Sequence, residues 1–207
     1  MSMETSKTSL TGKIPPWLVC VDVETTGLDP ERCGLLSIGG YHPASSGEFY
    51  VECAPRPGCV VDEEAIRVNG QDIEEARKRE ISDGEAVVRL RDWLGALRTR
   101  FYGANRLVLV GKNPKFDVSF LESTAVAGPM CHMSRRLIDV HSVALALAAA
   151  RGMDAPALKI DTVYTLLGLP VEPSPHNAFR GALFAWKALA AMGEITGAIS
   201  GEREGGK

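Results

Sequence analysis

Hydrophobic positions along this chain change their period partway through. Near the start, three short apolar runs, WLVCVDV at 17–23, LLSIGGYH at 35–42 and GEFYVEC at 47–53, are separated by the turn-rich pieces GLDPERCG and PASSG. Runs of that length bounded by Gly, Pro, Asp and Ser read as strands, so three strands in a meander are expected. The next two pieces, VDEEAIRVNG and QDIEEARKRE, read as short helices. In GEAVVRLRDWLGALRTRFYG the apolar residues Val87, Leu90, Leu94, Leu97 and Phe101 recur at helical spacing and predict the first long helix.

From residue 106 onward the pattern alternates. RLVLVGKN predicts a buried strand, FDVSFLESTAVAG a helix, RRLIDVHS a strand and VALALAAARG its helix. Two more helices are expected in LKIDTVYTLLGLP and in HNAFRGALFAWKALAAMGEITG, the last with Phe179, Leu183, Trp186 and Ala190 on one stripe. Strands that are first antiparallel and then alternate with helices predict an α/β protein, a mixed central sheet with helices on both faces. The polar lead, residues 1–13, and the Gly-rich charged end, 198–207, read as flexible segments around a single domain at 14–197.

Composition narrows the chemistry. The chain has 207 residues, enough for one domain with a full core. Its net charge of -3 offers no general attraction for a polyanion, so binding to nucleic acid must be organised locally, by metal ions or a small patch. Five cysteines with no CxxC pair argue against a disulfide framework or a structural zinc site and for a reducing cytoplasm. No apolar run approaches the roughly 20 residues that span a bilayer, and no membrane association is expected.

In VDVETTG, Asp22 and Glu24 stand one residue apart, so strand alternation points both carboxylates to one face. Like charges so close repel unless solvent or a cation stands between them. A third acid, Asp117, opens a helix after a predicted buried strand, where the helix dipole alone would favour an acid. His176 lies in a Pro-rich loop before the final helix, where an imidazole can accept a proton near neutral pH. Phosphodiester hydrolysis needs an activated water and neutralised phosphate charge, which divalent metals held by clustered carboxylates supply.

The order DVETTG, then NPKFD, then HNA at the start of a last helix resembles the DEDDh group of 3′-to-5′ exonucleases, from about Pro16 to about Gly197. That group has an RNase-H-like fold and includes the proofreading subunits of bacterial replicative polymerases. The resemblance implies that Asp22 bridges two metal ions, that Glu24 helps hold the one beside the attacking water, and that Asp117 supports the second. It implies His176 as general base, Thr25 and Thr26 at the terminal 3′ hydroxyl, and Leu28 against the last bases. The implied cofactors are two Mg²⁺ or Mn²⁺ ions. The implied partners are single-stranded DNA or RNA 3′ ends, with a polymerase or other replication or repair protein.

One position departs from the family. Five residues after the histidine, where the family carries a fourth acid, stands Gly181, and the next acid on that helix, Glu194, is thirteen residues farther on. One metal is therefore expected to be weakly held, and a Gly181→Asp substitution is expected to add the ligand back. Asp139 and Asp161 are surrogates by proximity, and as a strand-end and a surface acid they also have ordinary explanations. Two readings of the whole chain follow: a metal-dependent exonuclease, or a catalytically impaired homologue that binds nucleic-acid ends or a protein. A third, an interaction protein with solvated surface acids, requires the motif order to be accidental.

Overall fold

The computed structural model describes residues 14–102, 106–124, 129–154, 159–169, 171 and 175–201. The expected flexible lead, 1–13, and residues 202–207 of the expected tail lie outside the described residues, as does the 125–128 portion of the helix predicted after the fourth strand. Strand β1 (Leu18–Thr25) pairs antiparallel with β2 (Leu35–His42), and β2 with β3 (Gly47–Glu52), which is the predicted meander. On its other side β1 pairs in parallel with β4 (Leu107–Gly111), and β4 with β5 (Met133–Asp139). The resulting mixed sheet has the order β3-β2-β1-β4-β5.

Between β3 and β4 lie α1 (Glu63–Asn69), α2 (Ile73–Ala76) and α3 (Asp83–Leu97). Their starts follow from local chemistry, since the side chains of Asp62, Asp72 and Ser82 accept the first free N–H groups of each helix. Val87, Leu90, Leu94 and Leu97 of α3 are buried with Phe101 packed beside them. Each such side chain removed from water contributes roughly 1.5–3 kcal/mol, so the stripe holds this helix more than propensity does. After β4 come α4 (Pro114–Thr124), then α5 (Val140–Ala150), α6 (Ile160–Leu167) and α7 (Ala178–Gly201). Helix α5 begins directly after Asp139, so Val140, His141 and Ser142, expected in the strand, are helical.

The sheet separates two cores. Val19, Val21 and Val23 join the cluster covered by α3 and α4, while Leu18 and Cys20 join the one covered by α5, α6 and α7. Asp22 and Glu24 continue the parity of Leu18 and Cys20, which points both carboxylates toward the α7 side. The stripe expected on α7 needs correcting. Ala178, Ala182, Phe184, Ala185, Ala188 and Met192 are the buried hydrophobic residues, mostly alanines, and Phe179, Leu183, Trp186 and Ala190 are only half-buried. Small residues predominate there because the helix lies very close to the strands. A Cβ on Gly39 of β2 would fall on the backbone of Ala178 and Phe179.

Candidate functional site

Parallel pairing between β1 and β4 covers only Leu18–Cys20. Beyond it the two strands part, at the point where β1 has an antiparallel neighbour on one side and a parallel one on the other. Crevices at the carboxyl ends of strands at such a switch are the usual ligand sites of open α/β sheets. Here the crevice is a cleft of about 470 Å³. Asp22, Glu24, Thr25, Leu28, Asp117 and His176 all line it, so the structure gathers acids from two distant segments and the loop histidine around one space.

Asp117 sits in the first turn of α4 and is 2 % exposed. Its Oδ1 accepts a hydrogen bond from Val23 N–H of β1 at 3.0 Å, a main-chain donor left over where β4 diverges. Its Oδ2 is buried with no hydrogen-bond partner among the described residues. Burial, and secondarily the nearby Glu24 carboxylate, push the Asp117 carboxyl up to about 8, against the pull of the Val23 N–H and Lys112. An acid that only capped its helix would have its oxygens satisfied. Glu24 is 8 % exposed on the neighbouring strand, and Asp22 is half-buried.

His176 is held by its backbone. Its N–H donates to Val68 O of α1 at 3.3 Å, and the next residue, Asn177, starts α7 by accepting from Phe179 N and Arg180 N. The Asn177 Nδ2 donates to Tyr50 Oη at 3.1 Å, and that hydroxyl donates to Glu52 at 2.9 Å. Helix α1 ties the same region to the strand end: buried Asn69 donates to Thr25 O at 3.2 Å, and Asp62 N–H donates to Thr26 O at 2.7 Å.

The residues expected at the terminal nucleotide divide. Leu28 is 77 % exposed on the rim, and Thr25 lines the cleft with its hydroxyl donating to Gly27 O. Thr26 does not line it. Its side chain is fully buried, donating to Val60 O at 2.6 Å and accepting from Gly34 N at 2.9 Å, so it fastens the motif loop instead of facing a ligand.

Gly181 lies on the second turn of α7 directly against Asp22. A Cβ built there would stand 2.6 Å from Asp22 Cγ, closer still to a carboxylate oxygen. The Asp22 carboxylate therefore occupies the space into which any side chain at 181 would project. An acid cannot simply be added back at that position; Asp22 must first turn away. Asp139 is not a substitute either, because its oxygens accept from Asn113 N, His141 N and Ser142 Oγ, as an N-cap to α5.

Several cleft residues carry no distinct sequence signal. Lys112 follows β4, His141 is in the first turn of α5, and Asn69, Phe116 and Asn113 complete the walls. Asn113 takes a left-handed φ of 52°, which a short polar side chain tolerates, and this turns the chain from β4 into α4. Only its place within NPKFD hinted at a role.

Among the described residues, no three His, Cys, Asp or Glu side chains converge tightly enough to hold a metal ion by themselves. Asp22, Glu24 and Asp117, three of the cleft's acids and one of them with an orphaned buried oxygen, nonetheless suit a hard cation that keeps waters and completes its shell with substrate phosphate. The five cysteines are free thiols. No described helix is long and apolar enough to cross a membrane.

No family model matches the chain. Ribonuclease T of Haemophilus influenzae (strain PittEE) is 28% identical over 117 residues, covering 52% of this chain and 50% of that protein. Ribonuclease T of Escherichia coli (strain K12) is 30% identical over 119 residues, covering 52% and 53%. The chain thus spans about half the length of the curated relatives it matches. Among solved structures, an exonuclease I from Methylocaldum szegediense overlays with a TM-score of 0.65 at 17% identity, over 86% of this chain and 40% of that one. Cell-death related nuclease 4 overlays at 0.58 and 13% identity, over 86% and 64%. These likenesses show the fold, an RNase-H-like mixed sheet flanked by helices.

Proposed function

We propose that this chain, a relative of the DEDD-type 3′-to-5′ exonucleases by sequence and fold, is a metal-dependent exonuclease that removes nucleotides from the 3′ end of a single strand. The observation that carries this reading is the buried Asp117 carboxyl, which lines the same cleft as Asp22 and Glu24 and keeps one oxygen without a hydrogen-bond partner among the described residues. A carboxylate costs free energy in that position unless a cation completes it. Asp22, Glu24 and Asp117 would hold Mg²⁺ or Mn²⁺. When bound, the metal would lower the pKa of an attacking water and neutralise the phosphate.

The chain's own residues do the rest. His176, fixed through Val68 and the Asn177 cap, takes the proton from the attacking water. Thr25 and the exposed Leu28 receive the terminal nucleotide, and Thr26 holds the loop that presents them. The partners are DNA or RNA 3′ ends, with a polymerase or repair protein as macromolecular partner. The free thiols support a cytoplasmic setting.

A second reading, an impaired homologue that binds ends without cutting, is favoured by Gly181 alone. Digestion of a 3′-labelled single-stranded oligonucleotide with Mg²⁺ or Mn²⁺, against a chelator control and a closed circular strand, separates the two. Mononucleotides released only from the open strand and only with metal support the exonuclease. Metal-dependent binding of ends without release supports the second reading, and equal attack on the circle sinks terminus recognition.

A further inference from the structure

Beside the cleft lies a smaller hollow of about 240 Å³ that shares Lys112, His141 and His176 with it. Its remaining walls include Asp161, Tyr164 and Phe184. The two rings stack at 5.8 Å, and the His141 ring meets Tyr164 edge-on at 5.6 Å, so the imidazole is held in place by packing. We propose that this side hollow is a phosphate subsite that takes the phosphodiester on the 5′ side of the one being cut, with Lys112 meeting its charge and His141 donating a hydrogen bond.

The argument is electrostatic. The main cleft is lined by five acids, Asp22, Glu24, Asp62, Glu64 and Asp117. Lys112 is the one Lys or Arg side chain among its described lining residues. A strand entering such a cleft meets repulsion at each phosphate that no cation covers, and the net charge of -3 supplies no long-range attraction. The scissile phosphate is covered by metal on the exonuclease reading, on which this proposal rests. The adjacent phosphate must find its cation one nucleotide step away, and the hollow presents the cleft's Lys112, His141 and His176 with a single acid, Asp161, where the main cleft sets five acids against them. Phosphate contacts of this kind set register and orientation, not base preference. The Asp161 carboxylate on the same hollow opposes an anion, which makes it a second handle on the idea.

The test compares two dinucleotides that differ by one phosphate: NpN, which has only the scissile group, and pNpN, whose 5′ phosphate would enter the hollow. Affinities are measured by calorimetry with Ca²⁺, and hydrolysis is followed separately with Mn²⁺. Wild type should bind pNpN about 10-fold more tightly than NpN. The preference should shrink toward unity in Lys112→Met and grow in Asp161→Asn, and the salt dependence of pNpN binding should lose about 0.7 in log–log slope in Lys112→Met. Equal affinity for both dinucleotides in wild type, or a preference unchanged in both variants, overturns the subsite. Weakened Ca²⁺ binding in Asp161→Asn would instead make Asp161 a metal ligand and also overturn it. Failure of any strand to be hydrolysed, with the pNpN preference intact, leaves the subsite standing and removes the exonuclease reading.

Discussion

Asp117 and Asp139 hold matching places in this molecule. Each stands where a parallel strand of the sheet hands over to the helix that follows it, β4 to α4 and β5 to α5. In sequence Asp117 reads as an acid opening a helix and Asp139 as one ending a strand, and each has an ordinary local explanation. In the structure they are opposites. Asp139 caps its helix, accepting from Asn113 N, His141 N and Ser142 Oγ; burial alone would raise its carboxyl, but these donors hold it below the usual range. Asp117 is more deeply buried, keeps one oxygen without a partner among the described residues, and is pushed up to about 8. A satisfied acid is explained by its partners, whereas a buried oxygen without one calls for a further explanation, a bound ion among them. The difference comes from β1: diverging from β4, it leaves the single Val23 N–H for Asp117, too little to balance the carboxylate.

The largest effect that could break this contrast is on turnover. Asp117→Asn should lower the 3′-end hydrolysis rate by about 10²–10³-fold or more, the scale of a lost charge contact in the transition state, while Asp139→Asn stays within a few-fold of wild type. Similar losses in the two variants, from single-turnover rates of folded proteins, would dissolve the distinction.

Stability against pH sharpens it. The unfolded Asp117 carboxyl titrates near 3.9, and the folded one near 8, so the folded state holds the proton more tightly. That contribution to stability is full below about pH 4 and is lost as pH rises toward about 8. In chelator, Asp117→Asn should therefore melt on the order of 10 °C above wild type at pH 8 and close to it at pH 4.5. A variant that melts lower than wild type at pH 8 would mean that the Asp117 charge is already compensated in the metal-free protein.

The smallest effect is on Asp139. Removing the cap by Asp139→Ala should cost about 1 kcal/mol, read as a melting point roughly 2–4 °C lower for a chain of this size, with no change in the melting shift caused by Mn²⁺. Loss of that shift would move Asp139 into the metal site.

Periodicity alone determined the meander, the strand–helix alternation and the α3 stripe, because side-chain parity and the 3.6-residue turn are local geometry. It also determined that Asp22 and Glu24 share a face, and the burial of Leu18 and Cys20 with the α7 side bears out that parity. What lay beyond it was set by contacts between distant segments. The buried face of α7 shifted to its alanines because the helix approaches β2 closely at Gly39, a distance no single stretch encodes. The place of Gly181 against the Asp22 carboxylate, the withdrawal of Thr26 into the loop, and the addition of Lys112 and His141 to the cleft walls depend equally on packing. Burial and hydrogen-bond satisfaction belong to the folded surroundings of a residue, so only the tertiary structure could separate the carboxylate that caps a helix from the one that keeps a buried oxygen without a partner among the described residues.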